Sequence, residues 1–289
     1  MKMLILGSTG MLGMALYSRA QRDGIAVIGA ARSGADRILD VRNPAALQEL
    51  ILTERPAIVI NTVAITSLDA CEKNPASAYL TNTRPASIIA CSCKEIGARF
   101  IHISTDHYYT GDKRKLHGET DPVQLVNEYA RTKYAAEAFA LTYQETLVIR
   151  TNIVGFRNRP DSPTFAEWSI QMLKEKSPAT LFDDFYTSPI DVYNFSDMVL
   201  DLIRTESTGV VNIAGKDVSS KQEFILGLAD TLHLGTSHTS KGSVKGLLGT
   251  PRAESLGLNV QKAEKILGYS MPDRQTVIDN LICHYTKEH

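Results

Sequence analysis

The chain begins with an apolar run that ends in three regularly spaced glycines. Residues 2–6 read K-M-L-I-L, and the next seven read G-S-T-G-M-L-G, which places glycine at Gly7, Gly10 and Gly13. A buried strand that turns through such a loop into a helix directs backbone N–H groups and the helix N-terminus at a phosphate. The third glycine lets the helix pack closely on the strand. The motif therefore predicts a parallel βαβ unit at the start of the chain.

Strand and helix patterns alternate over the first half of the chain. The apolar periodicity predicts strands at residues 2–6, 25–29, 37–40, 57–61, 99–103 and 146–150. Helices are predicted at residues 10–22, 44–54, 75–96 and 127–141. Right-handed crossovers between parallel strands build an α/β fold of the doubly wound Rossmann type.

The glycine turn predicts a dinucleotide cofactor that is bound through its pyrophosphate. An acidic residue at the end of the second strand would bind the ribose hydroxyl of NAD, but the sequence reads A-A-R-S there, with Arg32. A guanidinium suits a 2′-phosphate, which favours NADP(H) and leaves NAD(H) open. The other predicted cofactor-binding residues are Thr9, Met11 and Leu12 in the turn, Asp40 and Val41 after the third strand, and Thr62, Val63 and Ala64 after the fourth.

The pattern changes after residue 150. A loop at 157–164, R-N-R-P-D-S-P-T, is followed by a helix with Trp168 and then by shorter elements, with a strand at 209–213 and helices near 219–233, 260–267 and 274–285. We predict an NAD(P)-binding Rossmann domain at residues 1–150. Residues 151–289 are predicted to form a smaller α/β substrate-binding lobe, from which some segments can return to the first domain.

Composition limits the partners that the chain can have. The net charge of −1 argues against nucleic acid and anionic membranes as partners. The cysteines form no C-x-x-C or Cys/His cluster, so no metal site is expected, and reduced thiols fit a cytoplasmic protein. No apolar run approaches the ~20 residues that cross a bilayer, and we expect no signal peptide, because a strand occupies the first residues.

Three polar side chains are predicted to meet where the strands end. The fifth strand runs into I-S-T-D, with Thr105, and the next helix carries Tyr129 and Lys133 in N-E-Y-A-R-T-K. Positions four apart share one face of a helix. A second pair with the same spacing, Tyr109 and Lys113, spans T-G-D, which predicts a turn instead.

This trio suits hydride transfer at a carbonyl group. A free phenol has a pKa near 10, and an ammonium about 4 Å away is worth up to roughly 4 kcal/mol at an effective dielectric near 20. We therefore expect Lys133 to lower the pKa of Tyr129 toward neutral, where a general acid is most useful. Thr105 would hold the substrate oxygen as its charge changes, and Lys133 would also bind the nicotinamide ribose.

Together these motifs resemble the extended short-chain dehydrogenase/reductases, and within them the dTDP-4-dehydrorhamnose reductase family of nucleotide-sugar 4-ketoreductases. Further similar stretches are I-R-T-N-I-V-G (149–155), D-D-F-Y-T-S-P (183–189), V-N-I-A-G (211–215) and P-R-A-E-S-L (251–256). The resemblance implies an NADPH-dependent oxidoreductase that reduces a 4-keto-6-deoxy sugar on a nucleoside diphosphate. It implies that Thr105, Tyr129 and Lys133 are catalytic and that the last two also contact the cofactor.

The resemblance also implies substrate contacts, and here the sequence departs from the family. Asp106 matches a sugar contact, but His107 stands where a tyrosine is common and Ile153 stands where an aromatic residue packs near the sugar. Trp168 is a candidate for the sugar or base, and Arg252 for the diphosphate. The structural alternatives are a solvated loop histidine, a core tryptophan and a salt-bridged arginine, so the identity of the sugar stays open.

Other functions use the same fold. A sugar-nucleotide dehydratase commonly has T-D-E where this chain has T-D-H, and a nucleotide-sugar epimerase retains NAD, which Arg32 disfavours. A non-catalytic NADP-binding subunit, like the regulatory β subunit of methionine adenosyltransferase, resembles the same family and stays open. The expected partner is a nucleoside-diphosphate sugar, and the sequence leaves a homodimer open.

Overall fold

A seven-stranded parallel sheet forms the centre of the computed structural model, which describes residues 1–159, 161–246 and 249–288. Its strands, in chain order, are β1 (Lys2–Leu6), β2 (Ala26–Ala31), β3 (Arg37–Ile38), β4 (Ile58–Asn61), β5 (Arg99–Ile103), β6 (Thr146–Arg150) and β11 (Gly209–Asn212). Their spatial order is β11-β6-β5-β4-β1-β2-β3. The strand order reverses beside β1, which is the arrangement of a doubly wound fold. The predicted Rossmann-type α/β class is confirmed.

Helices cover both faces of this sheet. They are α1 (Met11–Arg22), α2 (Pro44–Glu54), α3 (Leu68–Lys73), α4 (Pro75–Ala78), α5 (Arg84–Ile96), α6 (Glu128–Ala140) and α8 (Val192–Arg204). Met3 and Ile5 of β1 point into a core with α1 and α8, whereas Leu4 and Leu6 point into a second core with α2 and α5. The alternation follows from the two-residue period of a strand, and both faces are apolar because both are covered.

The remaining elements form a smaller group beside the sheet. Its strands are β7 (Ile153–Val154), β8 (Ala179–Phe182), β9 (Tyr186–Thr187), β10 (Ile190–Asp191), β12 (Ser219–Ser220), β13 (Thr239–Gly242) and β14 (Ser255–Leu256). Its helices are α7 (Phe165–Glu175), α9 (Lys221–Thr231) and α11 (Arg274–Glu288), whereas α10 (Gln261–Leu267) packs on β11 and α8 of the large sheet. A third apolar core lies between α7, α9 and α11.

Residues 192–212 return to the large sheet. Helix α8 packs on α1, and β11 pairs in parallel with β6, with Val210 opposite Val148. A chain that leaves the sheet after Arg150 therefore comes back to it before α9. The division at residue 150 stays a prediction.

The predicted helix at 75–96 is helical along its whole length, but it is not a single α-helix. A π-helical turn at Tyr79–Thr83 separates α4 from α5, and Pro85 lies in the first turn of α5. Proline has no N–H and clashes with the preceding turn of a continuous helix. The interruption lets the buried Asn82 bond the backbone of Ile65 on both sides, at 2.7 and 3.1 Å.

Two smaller elements also differ from the sequence prediction. The third strand ends at Ile38, so Asp40 lies in the loop after it. Helix α3 was not predicted, and it begins where the Ser67 side chain accepts a hydrogen bond from Ala70 N. Both elements are short, and short elements carry little periodicity.

Gly13 is the position where the first βαβ unit tolerates no side chain. A Cβ there would lie 2.1 Å from Gly7 O and 2.7 Å from the Ser8 Cα atom. Gly13→Ala must push α1 away from β1, and we expect the free energy of unfolding to fall by about 1–3 kcal/mol. Urea denaturation of the ligand-free protein measures it.

Gly235→Ala is the matched control, because a Cβ there would meet nothing within 4 Å. It should change the free energy of unfolding by less than about 1 kcal/mol. Equal stability of the Gly13→Ala variant and the control would contradict the close packing of α1.

Candidate active site

A cavity of about 660 Å³ lies at the carboxyl ends of the central strands. Its wall comes from the residues that follow β1, β2, β4, β5 and β6, which is where ligands bind in folds of this class. All predicted catalytic and cofactor-binding residues line it: Gly7, Thr9, Gly10, Met11, Leu12, Gly13, Arg32, Asp40, Val41, Thr62, Val63, Ala64, Thr105, Tyr129 and Lys133. Three of the predicted substrate residues, Asp106, His107 and Ile153, line it as well.

The glycine turn presents the N-terminus of α1 to the cavity. Gly7 has φ +85°, a left-handed conformation that glycine adopts without strain. Its N–H bonds Ala30 O at 2.8 Å, and Gly10 N bonds Gly7 O at 3.0 Å. The first turn of α1 carries no acidic residue, and within the described chain no side chain caps it. Its N–H groups and helix dipole therefore suit an anion such as a pyrophosphate.

Arg32, just after the end of β2, forms no salt bridge with a carboxylate among the described residues. Arg42 donates hydrogen bonds to the Asp40 carboxylate from Nε at 3.0 Å and from Nη2 at 2.6 Å. These bonds lower the pKa of that carboxyl to about 2, and Arg32 makes a smaller contribution. Arg32 itself is exposed and lines the cavity. This geometry fits a 2′-phosphate on the cofactor ribose.

The catalytic candidates lie close together and are buried. Thr105, Tyr129 and Lys133 are 3%, 7% and 2% exposed. Helix α6 begins just before the tyrosine because the Asn127 side chain accepts a hydrogen bond from Ala130 N at 2.8 Å. Lys133 Nζ donates to Ile103 O at 2.6 Å, so the ammonium is held at the end of β5. The rival pair, Tyr109 and Lys113, lies in a loop as predicted.

The prediction that Lys133 lowers the pKa of Tyr129 is wrong for the ligand-free site. Burial raises the pKa of the phenol well above its usual value, and a hydrogen bond with Thr105 offsets only part of this. Burial also lowers the pKa of Lys133, to about 8, while the charge of Glu137 acts in the opposite direction. Desolvation dominates both groups because only 7% of Tyr129 and 2% of Lys133 are exposed.

The substrate side of the cavity contains a buried carboxyl next to an imidazole. Asp106 accepts a hydrogen bond from Asn152 Nδ2 at 2.6 Å, and burial raises the pKa of this carboxyl. His107 packs edge-on against Tyr129, with ring centroids 5.5 Å apart. Burial lowers the pKa of His107 below its usual value, and its buried Nδ1 has no hydrogen-bond partner among the described residues.

Trp168 and Arg252 do not line the cavity. Trp168 is 42% exposed and stacks on Phe165, with ring centroids 6.3 Å apart. Arg252 lies 3.8 Å from Asp69, and its charge contributes to the lowered pKa of His107. The substrate roles of both residues stay predictions.

Several cavity residues were not predicted from the sequence. Thr151 and Asn152 follow β6, and Arg157 and Arg159 lie on the next loop. The first two could have been predicted, because β6 ends beside them and strand ends carry site residues in this fold. No sequence pattern places the two arginines, because they reach the cavity through the fold of the second half.

A buried ion pair lies beneath the catalytic candidates. Glu137, one turn after Lys133, is bound by Arg150 Nη2 at 2.7 Å and by Arg150 Nε at 3.1 Å. The same carboxylate accepts hydrogen bonds from Ser104 Oγ at 2.5 Å and Tyr108 Oη at 3.0 Å. Burial disfavours the charge on Arg150, but its bonds to Glu137 outweigh this and raise its pKa. The pair thus joins α6 and β6 to the turn that carries Thr105.

The part of the chain that the structure describes contains neither a candidate membrane-spanning helix nor a candidate metal site. No helix there is long and apolar enough to span a bilayer. No group of three His, Cys, Asp or Glu side chains in the same residues could hold a metal ion.

Comparison with known proteins identifies the family. The model of the RmlD substrate binding domain matches residues 1–286. The chain is therefore an extended short-chain dehydrogenase/reductase of the nucleotide-sugar reductase class. It belongs to the RmlD family, which confirms the resemblance that the motifs indicate.

Individual relatives are distant but cover most of the chain. The spore coat polysaccharide biosynthesis protein SpsK of Bacillus subtilis is 26% identical over 252 residues, covering 87% of this chain and 86% of its own. The dTDP-4-dehydrorhamnose reductase of Burkholderia thailandensis is 30% identical over 198 residues, covering 68% and 64%.

Solved structures share the fold over nearly the full length. The dTDP-4-dehydrorhamnose reductase of Bacillus anthracis, in complex with NADP, has a TM-score of 0.87 at 22% identity and covers 98% of both chains. MoeE5 in complex with UDP-glucuronic acid and NAD has a TM-score of 0.84 at 18% identity and covers both chains fully. At such identities the likeness establishes the fold alone.

Arg150→Met tests how much the buried pair stabilises the protein. The change leaves the Glu137 carboxylate buried without its cation, which typically costs about 3–5 kcal/mol of stability. Arg131→Met is the matched control, because Arg131 pairs with Glu128 on the surface of α6, where loss of a pair costs less than about 1 kcal/mol. Urea denaturation measures both, and similar losses would contradict the role of the buried pair.

Proposed function

We propose that the chain catalyses the NADPH-dependent reduction of the 4-keto group of a nucleoside-diphosphate 4-keto-6-deoxy sugar. The observation that carries the proposal is the single cavity that joins the glycine turn to Thr105, Tyr129 and Lys133. Relatives from Escherichia coli and Burkholderia thailandensis that bear the name dTDP-4-dehydrorhamnose reductase support it. The chain is an NAD(P)-dependent oxidoreductase that acts on a keto group.

The cavity fits a dinucleotide in one orientation. The glycine turn and the N-terminus of α1 suit the pyrophosphate, Arg32 suits a 2′-phosphate, and Thr62 to Ala64 line the path toward Tyr129. NADP(H) is therefore favoured, with NAD(H) as the alternative. When bound, the cofactor supplies a hydride to the carbonyl carbon of the sugar.

Tyr129 is the proton donor in this proposal. Burial keeps its phenol protonated at neutral pH, so the group is ready to give a proton to the carbonyl oxygen as the carbon is reduced. The Thr105 hydroxyl can hold the same oxygen by a hydrogen bond as negative charge develops on it. The products are a secondary alcohol on the sugar, the oxidised cofactor, and a phenolate that must regain a proton before the next turnover.

Lys133 holds the cofactor ribose in this proposal. It lies one turn from Tyr129 on α6, and its ammonium is fixed by Ile103 O. A charged ammonium held in this way can donate a hydrogen bond to a ribose hydroxyl. Glu137 favours the charged form of Lys133, so the ion pair below the site supports its chemistry.

The nature of the sugar is part of the proposal and rests on the substrate side. Asp106, His107 and Asn152 line this part of the cavity, and Asn152 donates a hydrogen bond to Asp106. These groups suit sugar hydroxyls. Ile153 adds an apolar surface where relatives of this kind carry an aromatic residue.

The cellular setting also belongs to the proposal. The four cysteines, Cys71, Cys91, Cys93 and Cys283, are free, which suits the reducing cytoplasm. A nucleoside-diphosphate sugar is the proposed partner, and a homodimer stays a prediction. The domain division at residue 150 is likewise a proposal, supported by the separate core of α7, α9 and α11.

Tyr129→Phe should abolish turnover without loss of cofactor binding. Removal of a general acid typically lowers kcat by about 10²–10⁴-fold, and the ring that packs on His107 is retained. The measurement is NADPH consumption with a panel of nucleoside-diphosphate 4-keto-6-deoxy sugars. Tyr134→Phe on the same helix is the control, because Tyr134 is 38% exposed, and it should keep wild-type kcat.

Two results would contradict the proposed reductase activity. One is a Tyr129→Phe variant as active as the control. The other is a wild-type protein that binds NADPH but reduces no sugar in the panel, which would favour the non-catalytic NADP-binding subunit.

The pH dependence of the reaction should reflect the loss of the positive charge on Lys133. The ammonium is charged below a pKa of about 8 and loses its charge as the pH rises through that value. We expect kcat/KM for NADPH, which reports the free enzyme, to fall above pH about 8. Lys221, near Asp106, also has a pKa lowered by burial to about 8, so a Lys221→Met variant is the control. A falling limb that disappears in this variant would contradict the assignment to Lys133.

A further inference from the structure

The loop after β7 brings two arginines to the glycine turn. Arg157 and Arg159 line the same cavity as Gly7 and Gly10, although about 150 residues separate them in sequence. Arg159 Nη2 donates a hydrogen bond to Thr9 O at 3.2 Å. We call residues 157–159 the arginine strap, because they cross the cavity from the second half of the chain to the turn.

Glu167 fixes the strap in place. One of its carboxylate oxygens accepts hydrogen bonds from Arg157 N and Asn158 N, both at 2.6 Å. The other accepts one from Thr164 N at 2.6 Å. Burial raises the pKa of Glu167, but these backbone donors outweigh it and the net pKa is lowered. The loop is thus held at both ends by a charged carboxylate on the first turn of α7.

The backbone that leads into the strap lies against α1. A Cβ on Gly155 would be 2.8 Å from Val192 Cγ1 and 3.2 Å from Met11 Sδ. Thr164 Oγ1 donates to Gly155 O at 2.6 Å, which closes the loop at its base. The strap therefore has a fixed position relative to the first turn of α1, and it does not depend on a ligand to reach it.

The charges of the strap have no carboxylate partner in the described residues. The Arg157 guanidinium bonds Ser162 Oγ at 3.1 Å, and the Arg159 guanidinium bonds the Thr9 carbonyl, so both contacts are to neutral groups. The first turn of α1 carries no acidic residue either. Two uncompensated guanidinium groups facing a helix N-terminus form a site for a doubly charged anion.

We propose that Arg157 and Arg159 bind the diphosphate of the dinucleotide cofactor together with the glycine turn. The second half of the chain then contributes directly to cofactor affinity. This inference rests on the proposed function only in requiring a dinucleotide ligand, and it is independent of the sugar. The 2′-phosphate is assigned separately to Arg32, at the end of β2.

Cofactor binding by an Arg159→Gln variant tests the proposal. The dissociation constant for NADPH, measured by the change in its fluorescence, should rise roughly tenfold, as expected for loss of one charge-assisted hydrogen bond. Adenosine 2′-monophosphate keeps the 2′-phosphate but has no phosphate at the diphosphate position, so its affinity should stay within about twofold of wild type. Arg204→Gln, an exposed arginine of α8, is the control and should bind both ligands like wild type.

Arg157→Gln and Glu167→Gln extend the test. Arg157→Gln should weaken NADPH in the same selective way and serves if Arg159→Gln does not fold. Glu167→Gln keeps the side-chain shape but weakens the three backbone contacts, so it should weaken binding of NADPH more than binding of adenosine 2′-monophosphate. A strap that matters only for folding would weaken both ligands equally.

Wild-type affinity for NADPH in both arginine variants would overturn the proposal. An equal loss for NADPH and adenosine 2′-monophosphate would overturn it as well, because the strap would then contact the adenosine end. Wild-type protein that binds NADPH but reduces no sugar would defeat the proposed function and leave this test valid.

Discussion

The site depends on the buried pair of Glu137 and Arg150. An ion pair out of contact with water stabilises a protein only when its remaining donors and acceptors are satisfied. Here Ser104 and Tyr108 donate hydrogen bonds to the Glu137 carboxylate. Arg150 Nη1 donates a hydrogen bond to Tyr109 Oη at 3.1 Å. The bonds tie a helix, a strand and a turn together at one point. Thr105 lies on that turn and Lys133 on that helix, so their separation follows from the pair.

Burial sets the chemical state of each catalytic candidate. It raises the pKa of Tyr129 and lowers that of Lys133, so the phenol is a proton donor at neutral pH and the lysine is close to losing its charge. Glu137 restores part of the preference for the charged lysine. The ion pair is therefore a source of both geometry and charge for the site above it.

Local features of the sequence predicted much of the fold and the core of the site. The glycine turn, the strand pattern and the Tyr129–Lys133 spacing each depend on neighbouring residues. Other features depend on contacts between distant segments of the chain. They are the π-helical turn at Tyr79–Thr83, the arginine strap and the Glu137–Arg150 pair. The pair requires β5 and β6 to align with Ile103 opposite Ile149. The pKa of Tyr129 was mispredicted for the same reason, because desolvation is a property of the assembled core.

The most direct test of the account follows the hydride itself. NADPH deuterated on one face of the nicotinamide C4 would be incubated with a nucleoside-diphosphate 4-keto-6-deoxy sugar, and the product examined by NMR. Reduction at this site predicts deuterium at C4 of the sugar, in a single configuration, from one of the two deuterated cofactors. Deuterium at another carbon, or deuterium that stays on the cofactor with every sugar offered, would contradict it.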